Sequence, residues 1–214
     1  MSMFKKTNLS MWLSCCLGMT GVSVWADDYK NMVEQIDQLK ANQVEYSIAL
    51  EEGKDRSMLC GYCHGKDGNS VKSEIPNLAS QNTEYLLKQF QLFATGERKS
   101  YVMQQLARSL NAEEKINLAL YFSAQTVRPQ EGLQTSAKGK ARYDSLCIAC
   151  HGQDGRGNHD LPRVAGQKKD FLVKTLTGFK QGKAARATSP MVNIMKVVEA
   201  SEIESLADYI ATMP

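Results

Sequence analysis

The sequence predicts an all-α fold made of two tandem copies of one small helical unit. Three observations predict it. A cysteine–histidine motif occurs twice, at Cys60 and Cys147, and its flanking residues recur in the same order. Apolar residues near the end of each copy keep helical spacing, as in Ile203, Leu206, Ala207 and Ile210. No stretch shows the sustained two-residue alternation of a half-buried strand.

The first residues differ from the rest. Lys5 and Lys6 precede an uncharged apolar run from about Leu9 to Val24, which ends at Trp25-Ala26 before Asp27-Asp28. This is the layout of a secretory signal peptide, residues 1–26, cleaved after Ala26. The run falls short of the ~20 residues that a spanning helix needs. Nothing further along is apolar enough to cross a bilayer, so the mature chain is expected in the periplasm with no transmembrane segment, peripheral association being left open. Cleavage removes both Trp residues, Cys15 and Cys16, leaving four cysteines. Residues 27–50 form an N-terminal extension. Met32, Ile36 and Leu39 give it a helical hint, and Gln38, Asn42 and Gln43 keep it polar.

The remaining cysteines stand in Cys60-Gly61-Tyr62-Cys63-His64 and Cys147-Ile148-Ala149-Cys150-His151. In an exported chain, C-x-x-C-H reads as a c-type haem attachment site. Two thiols one helical turn apart reach the two vinyl groups on one haem edge, and the next residue places an imidazole beneath the iron. Disulfides, a thiol-exchange pair and a four-sulfur zinc site are the rivals. Each leaves the following histidine unexplained, twice. The expected cofactors are therefore two covalently bound haem c groups, held by Cys60, Cys63, Cys147 and Cys150, with His64 and His151 on the iron.

The repeat extends well beyond the motif. Gly53-Lys54, Gly65-Lys66-Asp67-Gly68, Pro76, Ala79, Gln81 and Tyr85-Leu86 correspond to Gly139-Lys140, Gly152-Gln153-Asp154-Gly155, Pro162, Ala165, Gln167 and Phe171-Leu172. Residues 84–95 and 170–181 read as helices ending near Gly96 and Gly182. Asn111 with Glu114 and Ser201 with Glu204 read as capping boxes. The organisation expected is a first domain at 51–125, a linker at 126–136 containing Pro129 and Gly132, and a second domain at 137–214. Each domain is small enough for its core to be marginal, and a buried haem supplies apolar bulk.

The sixth iron ligand decides between electron transfer and chemistry on a small molecule. After cleavage only His64, His151 and His159 remain, so the two irons cannot both carry two imidazoles. A methionine thioether is the remaining common choice. Met103 lies 39 residues after His64 and Met191 lies 40 after His151, and each stands 18 residues before a repeated tyrosine, Tyr121 or Tyr209. Met103 and Met191 are the expected ligands. Met195, one helical turn beyond Met191, competes with it and aligns with Ala107. His159 has no counterpart in the first copy and reads as an exposed loop residue. Pro76 and Pro162 follow their motifs at nearly equal distance; they are either plain loop prolines or part of a loop whose carbonyl accepts the proximal imidazole N–H.

Two C-x-x-C-H-G units, each with a P-x-x-A-x-Q segment, a late methionine and a helix carrying Ala119-Leu120-Tyr121 or Ala207-Asp208-Tyr209, resemble the cytochrome c4 family. The resemblance covers about residues 51–214. It implies two tandem cytochrome c-like domains, each wrapped around one haem and facing the other across a pseudo-twofold interface. It also implies a periplasmic carrier of single electrons, not an enzyme, between respiratory partners such as a quinol–cytochrome c reductase and a terminal oxidase or reductase. Two alternatives stand beside it: a haem-bearing subunit of a larger complex, and a dihaem peroxidase or sulfur-compound dehydrogenase. Ser80 departs from the family pattern, which has glycine there as the second copy does at Gly166.

Charge adds little about nucleic acid: a net +3 without a basic, aromatic-studded stripe excludes that partner class. The halves do differ. Residues 27–127 carry 11 basic and 14 acidic side chains, and residues 128–214 carry 13 and 9. Lys168, Lys169, Lys174, Lys180, Lys183 and Arg186 crowd one region, a candidate surface for steering acidic redox partners. A monomer with separate donor and acceptor partners is expected.

Overall fold

The structure, a computed structural model, describes residues 21–183 and 185–214, with side chains from Asp28 onward. The expected signal segment lies largely outside the described residues. The described chain is helical, and its only bridge pairing is the isolated Asn158–Leu161 contact. Two units of matching element order are present. The first comprises α2 (Gln43–Arg56), α3 (Met58–His64), α4 (Thr83–Thr95), α5 (Tyr101–Ser109) and α6 (Ala112–Ser123), preceded by α1 (Gly21–Ala41). The second comprises α7 (Ala137–Leu146), α8 (Ile148–His151), α9 (Lys169–Lys180), α10 (Met191–Ile194) and α11 (Ile203–Thr212). Among the described residues, no helix is long and apolar enough to cross a membrane.

Each unit is closed by its first and last helices crossing tightly, α2 on α6 and α7 on α11. Glycine makes both crossings possible. A Cβ on Gly53 would lie 2.2 Å from the Asn117 carbonyl oxygen, and one on Gly139 would lie 1.8 Å from that of Ser205. In the second unit, Tyr143, Leu206, Ala207 and Ile210 pack against Leu172, Leu176 and Phe179 of α9. The first unit repeats this with Leu118, Ala119 and Phe122 against Leu86, Phe90 and Phe93 of α4.

The N-terminal segment packs on the first unit. Met32 and Ile36 of α1 are buried against Leu87, Ile116 and Leu120. The next helix, α2, runs through the expected boundary at residue 50 without a break, so the extension is continuous with the first unit. Its start is fixed by Asn42, whose side chain accepts from the Val44 and Glu45 N–H groups. The second unit offers no such apolar face. Where the first has Leu87, Ile116 and Leu120, it has Val173, Glu204 and Asp208, and Lys169 pairs with both carboxylates at 3.3 and 2.6 Å.

The caps follow the sequence with one correction. Asn111 and Glu114 form a capping box, and Gly96 closes α4 with φ +84°. The Ser201–Glu204 box does not form. The chain turns earlier, through a 3₁₀ segment at Ala200–Glu202 boxed by Glu199 and Glu202, and α11 starts at Ile203. Glu199 and Glu202 are the true counterparts of Asn111 and Glu114, and Arg142 holds Glu202 in a two-pronged pair from α7. The strained counterpart of Gly166 (φ +67°) is Ser80 (φ +54°), and both donate their N–H to the last helix of their unit, to Phe122 O and Ile210 O. The left-handed backbone is thus required at both places, and only one copy has the residue that adopts it freely.

Candidate haem sites

The first cysteine–histidine motif lies on α3, and the second runs from Cys147, which caps α8, to His151 at its end; both short helices follow closely on the first helix of their unit. Each helix ends at a glycine with positive φ, Gly65 at +79° and Gly152 at +78°, so the chain turns away immediately after the histidine. None of these four cysteines is paired in a disulfide. Among the described residues, no three His, Cys, Asp or Glu side chains gather as a metal cluster, which removes the four-sulfur zinc reading. Burial pushes the Cys60 thiol up and that of Cys147 up to about 11. Thiol-exchange cysteines need the opposite shift.

The histidines are positioned alike. His64 Nδ1 lies 2.9 Å from Pro76 O, and His151 Nδ1 lies 3.0 Å from Pro162 O. A carbonyl only accepts, so the proton is on Nδ1 and the Nε2 lone pair is free to bind a metal. Burial lowers the pKa of both imidazoles, outweighing the hydrogen bond to the proline carbonyl, and favours the neutral ligating form.

The methionines differ in a way that bears on the competition in the second unit. Met103 is partly buried and packs at the edge of the first core together with Cys60 and Leu78. Met191 is likewise partly buried, packed at the edge of the second core with Cys147 and Val164. Met195 is inside that core at 1% exposure, and its counterpart Ala107 is at 0%. The Met195 position is therefore a core position in both units.

Two arginines from equivalent loops meet at the seam between the units. Arg98 Nη1 donates to Gln89 Oε1 at 2.7 Å, and Arg186 Nη1 donates to the same oxygen at 3.3 Å and to Tyr85 Oη at 3.1 Å. Neither takes part in an ion pair among the described residues. Burial, with Arg186 adding to it, pulls Arg98 down to about 10. Two guanidiniums converging on one neutral oxygen suit an anionic occupant, and the carboxylates of a haem are anions of that kind. Neutral imidazoles with free Nε2, unpaired thiols, edge thioethers and this cation pair together fit haem as the resident group.

The seam contains residues whose roles sequence reasoning did not foresee. Gln81 and Gln167 are buried at 5% and 8% and each binds the backbone of the other unit. Their matched placement in the repeat was the signal. His159 is exposed, as expected, but has a partner: its Nδ1 lies 2.8 Å from Glu84 Oε1 across the seam, beside the Lys88–Asp160 pair at 2.5 Å. The basic cluster is less free than its sequence suggests. Lys169 is paired with Glu204 and Asp208, Lys180 donates to Val198 O, and Arg186 is at the seam.

The comparisons with known proteins agree. Residues 136–214 match the cytochrome c family model. Cytochrome c4 of Azotobacter vinelandii is 32% identical over 182 residues, covering 74% of this chain and 86% of that one. A thiosulfate dehydrogenase electron acceptor of Stutzerimonas stutzeri is 29% identical over 174 residues, covering 73% and 80%. The crystal structure of reduced recombinant cytochrome c4 from Pseudomonas stutzeri superposes with a TM-score of 0.67 at 28% identity, covering 77% of this chain and 98% of that one. The repeat, the two histidine sites and these likenesses lead to one conclusion: the chain belongs to the cytochrome c4 family, dihaem electron-transfer cytochromes with covalently bound haem c.

Proposed function

We propose that the protein is a periplasmic electron carrier in which Cys60, Cys63, His64 and Met103 hold one haem and Cys147, Cys150, His151 and Met191 hold the other. The observation that carries this reading is the doubled arrangement of a neutral histidine, pinned through Nδ1 to a proline carbonyl, with a thioether at the edge of the same core. The iron of each haem supplies a one-electron ferric–ferrous couple. The chain's own residues orient the imidazoles, attach the porphyrin edges, and surround each site with apolar core. Met103 and Met191 would supply each iron with a thioether beside the imidazole, a pairing that favours ferrous iron. An iron held by two protein ligands would suit a carrier of electrons rather than an enzyme acting on peroxide or a sulfur substrate.

The carrier takes electrons from a donor such as a quinol–cytochrome c reductase and passes them to a terminal oxidase or reductase, acting as a monomer. The rims of the two sites differ, which supports two different partners. Met58, Leu59 and Tyr62 adjoin the first cysteines, and Tyr101 and Val102 precede Met103; all five are exposed. At the corresponding positions the second unit has Ser145, Leu146, Ala149, Ser189 and Pro190. A second reading, in which the donor is a sulfur-compound dehydrogenase, is supported by the name of the Stutzerimonas stutzeri relative. The experiment is to supply the purified haem-loaded protein to oxidase-containing membranes, and separately to peroxide and to thiosulfate. Rapid oxidation by membranes with no turnover of either small molecule supports the carrier; catalytic consumption of peroxide or thiosulfate by the protein alone rejects it.

A further inference from the structure

Two peptide groups at the seam are hydrogen-bonded at both ends. The Pro76 carbonyl accepts from His64 Nδ1 at 2.9 Å, and the N–H of the same amide, on Asn77, donates to Gln167 Oε1 at 2.7 Å. Gln167 Nε2 returns to Asn77 O at 3.0 Å. The second unit mirrors this: Pro162 O accepts from His151 Nδ1 at 3.0 Å, while Arg163 N–H donates to Gln81 Oε1 at 2.8 Å and Gln81 Nε2 donates to Arg163 O at 2.8 Å. Asn77, Gln81, Arg163 and Gln167 are each less than 9% exposed. The connection is crossed: each histidine is reached through its own loop by the glutamine of the other unit.

We propose that Gln167 is a positioning residue for His64 and Gln81 one for His151, so that each half of the molecule tunes the reduction potential of the haem in the other. This rests on His64 and His151 being the iron ligands. An amide is polarised as a unit. Donation from its N–H draws electron density onto its carbonyl oxygen, which then accepts more strongly from the imidazole N–H. An imidazole whose Nδ1–H is held more strongly is a more basic ligand through Nε2 and favours ferric iron. The glutamine's second bond, to the following carbonyl, fixes the tilt of the peptide and with it the ring. Burial makes the chain effective, because water cannot replace a lost partner.

A merely structural role predicts something different. Gln167 Oε1 also accepts the Lys168 N–H at 2.9 Å at the start of α9, and Gln81 Oε1 accepts the Asn82 N–H at 3.0 Å before α4. Damage by that route falls on the glutamine's own unit.

The test is optical redox potentiometry of the full haem-loaded chain. Met103→His first lowers the potential of the first haem and so tags its step, because a second imidazole replaces the thioether. Gln167→Leu in that background is expected to raise the tagged step by roughly tenfold in equilibrium constant, about 59 mV for one electron, and to leave the other step nearly in place. Gln81→Leu is expected to do the reverse. Where Gln167→Leu does not accumulate as folded protein, Gln167→Asn, one methylene shorter, is read in the same way. A shift confined to the step of the glutamine's own unit, or no shift in either, overturns the proposal while leaving the ligands intact. If Met103→His moves neither step, the ligand assignment itself falls and the proposal with it.

Discussion

Replacing Gly139 by alanine tests the helix crossing that closes the second unit. The added Cβ would sit 1.8 Å from the Ser205 carbonyl oxygen, 2.6 Å from its carbon and 2.9 Å from Tyr209 Cβ. An ordinary carbon–oxygen approach is about 3.4 Å, so α7 and α11 must separate by roughly 1.5 Å. That gap forfeits much of the dispersion attraction of the side chains packed across the crossing, among them Tyr143, Leu206, Ala207 and Ile210. Overpacking of this kind costs about 3 kcal/mol, and alanine's better helix propensity returns about 1. The net loss of ~2 kcal/mol lowers the melting midpoint of a unit this size by roughly 8–15 °C. Thermal unfolding of the haem-loaded protein followed by far-ultraviolet circular dichroism reads it. An unchanged or raised midpoint, the ordinary result for Gly→Ala in an exposed helix, refutes the close-crossing argument.

Four further variants test other sites. Ser80→Gly relieves a left-handed backbone at φ +54° and should stabilise the first unit by ~0.5–1 kcal/mol in chemical denaturation; a loss of stability contradicts the strain argument. Met191→Ala should open an iron and let the reduced protein bind carbon monoxide. Met195→Ala should cost ~2–5 kcal/mol of stability with no such binding; the reverse pattern exchanges their roles. Glu84 raises the pKa of His159 above its ordinary 6.5, through its hydrogen bond first and its charge second. A raised folded value means the contribution is whole below about pH 6.5 and fades as pH rises through that higher value. Unfolding midpoints measured from pH 5 to 9 should therefore show a declining component at the upper end that His159→Gln removes; an identical profile in the variant rejects the tie.

Much of this was legible in the sequence, because the repeat doubles every signal. Cysteine spacing, paired methionines and paired glycines each occur twice, and their helices end where Gly96 and Gly182 stand. Other features depend on what lies across the seam, which local pattern does not encode. Gln81 and Gln167 were visible as repeated residues, yet a buried amide bonding a foreign backbone has no local periodicity. The packing of α1 had a readable trace: Leu87, Ile116 and Leu120 are apolar where Val173, Glu204 and Asp208 are not. Only comparison of the two copies exposes that face. The Ser201–Glu204 box failed because Glu199 and Glu202 offered the same chemistry two residues earlier, in register with Asn111 and Glu114.

The proposed function requires one chain to hold two irons, each between an imidazole nitrogen and a thioether sulfur. Electron paramagnetic resonance of the resting ferric protein, with the haem content of the sample quantified, tests it most directly. Two haems per chain and low-spin signals alone, accounting for both irons, are expected. A high-spin signal amounting to one iron per chain, or a single haem per chain, would contradict it.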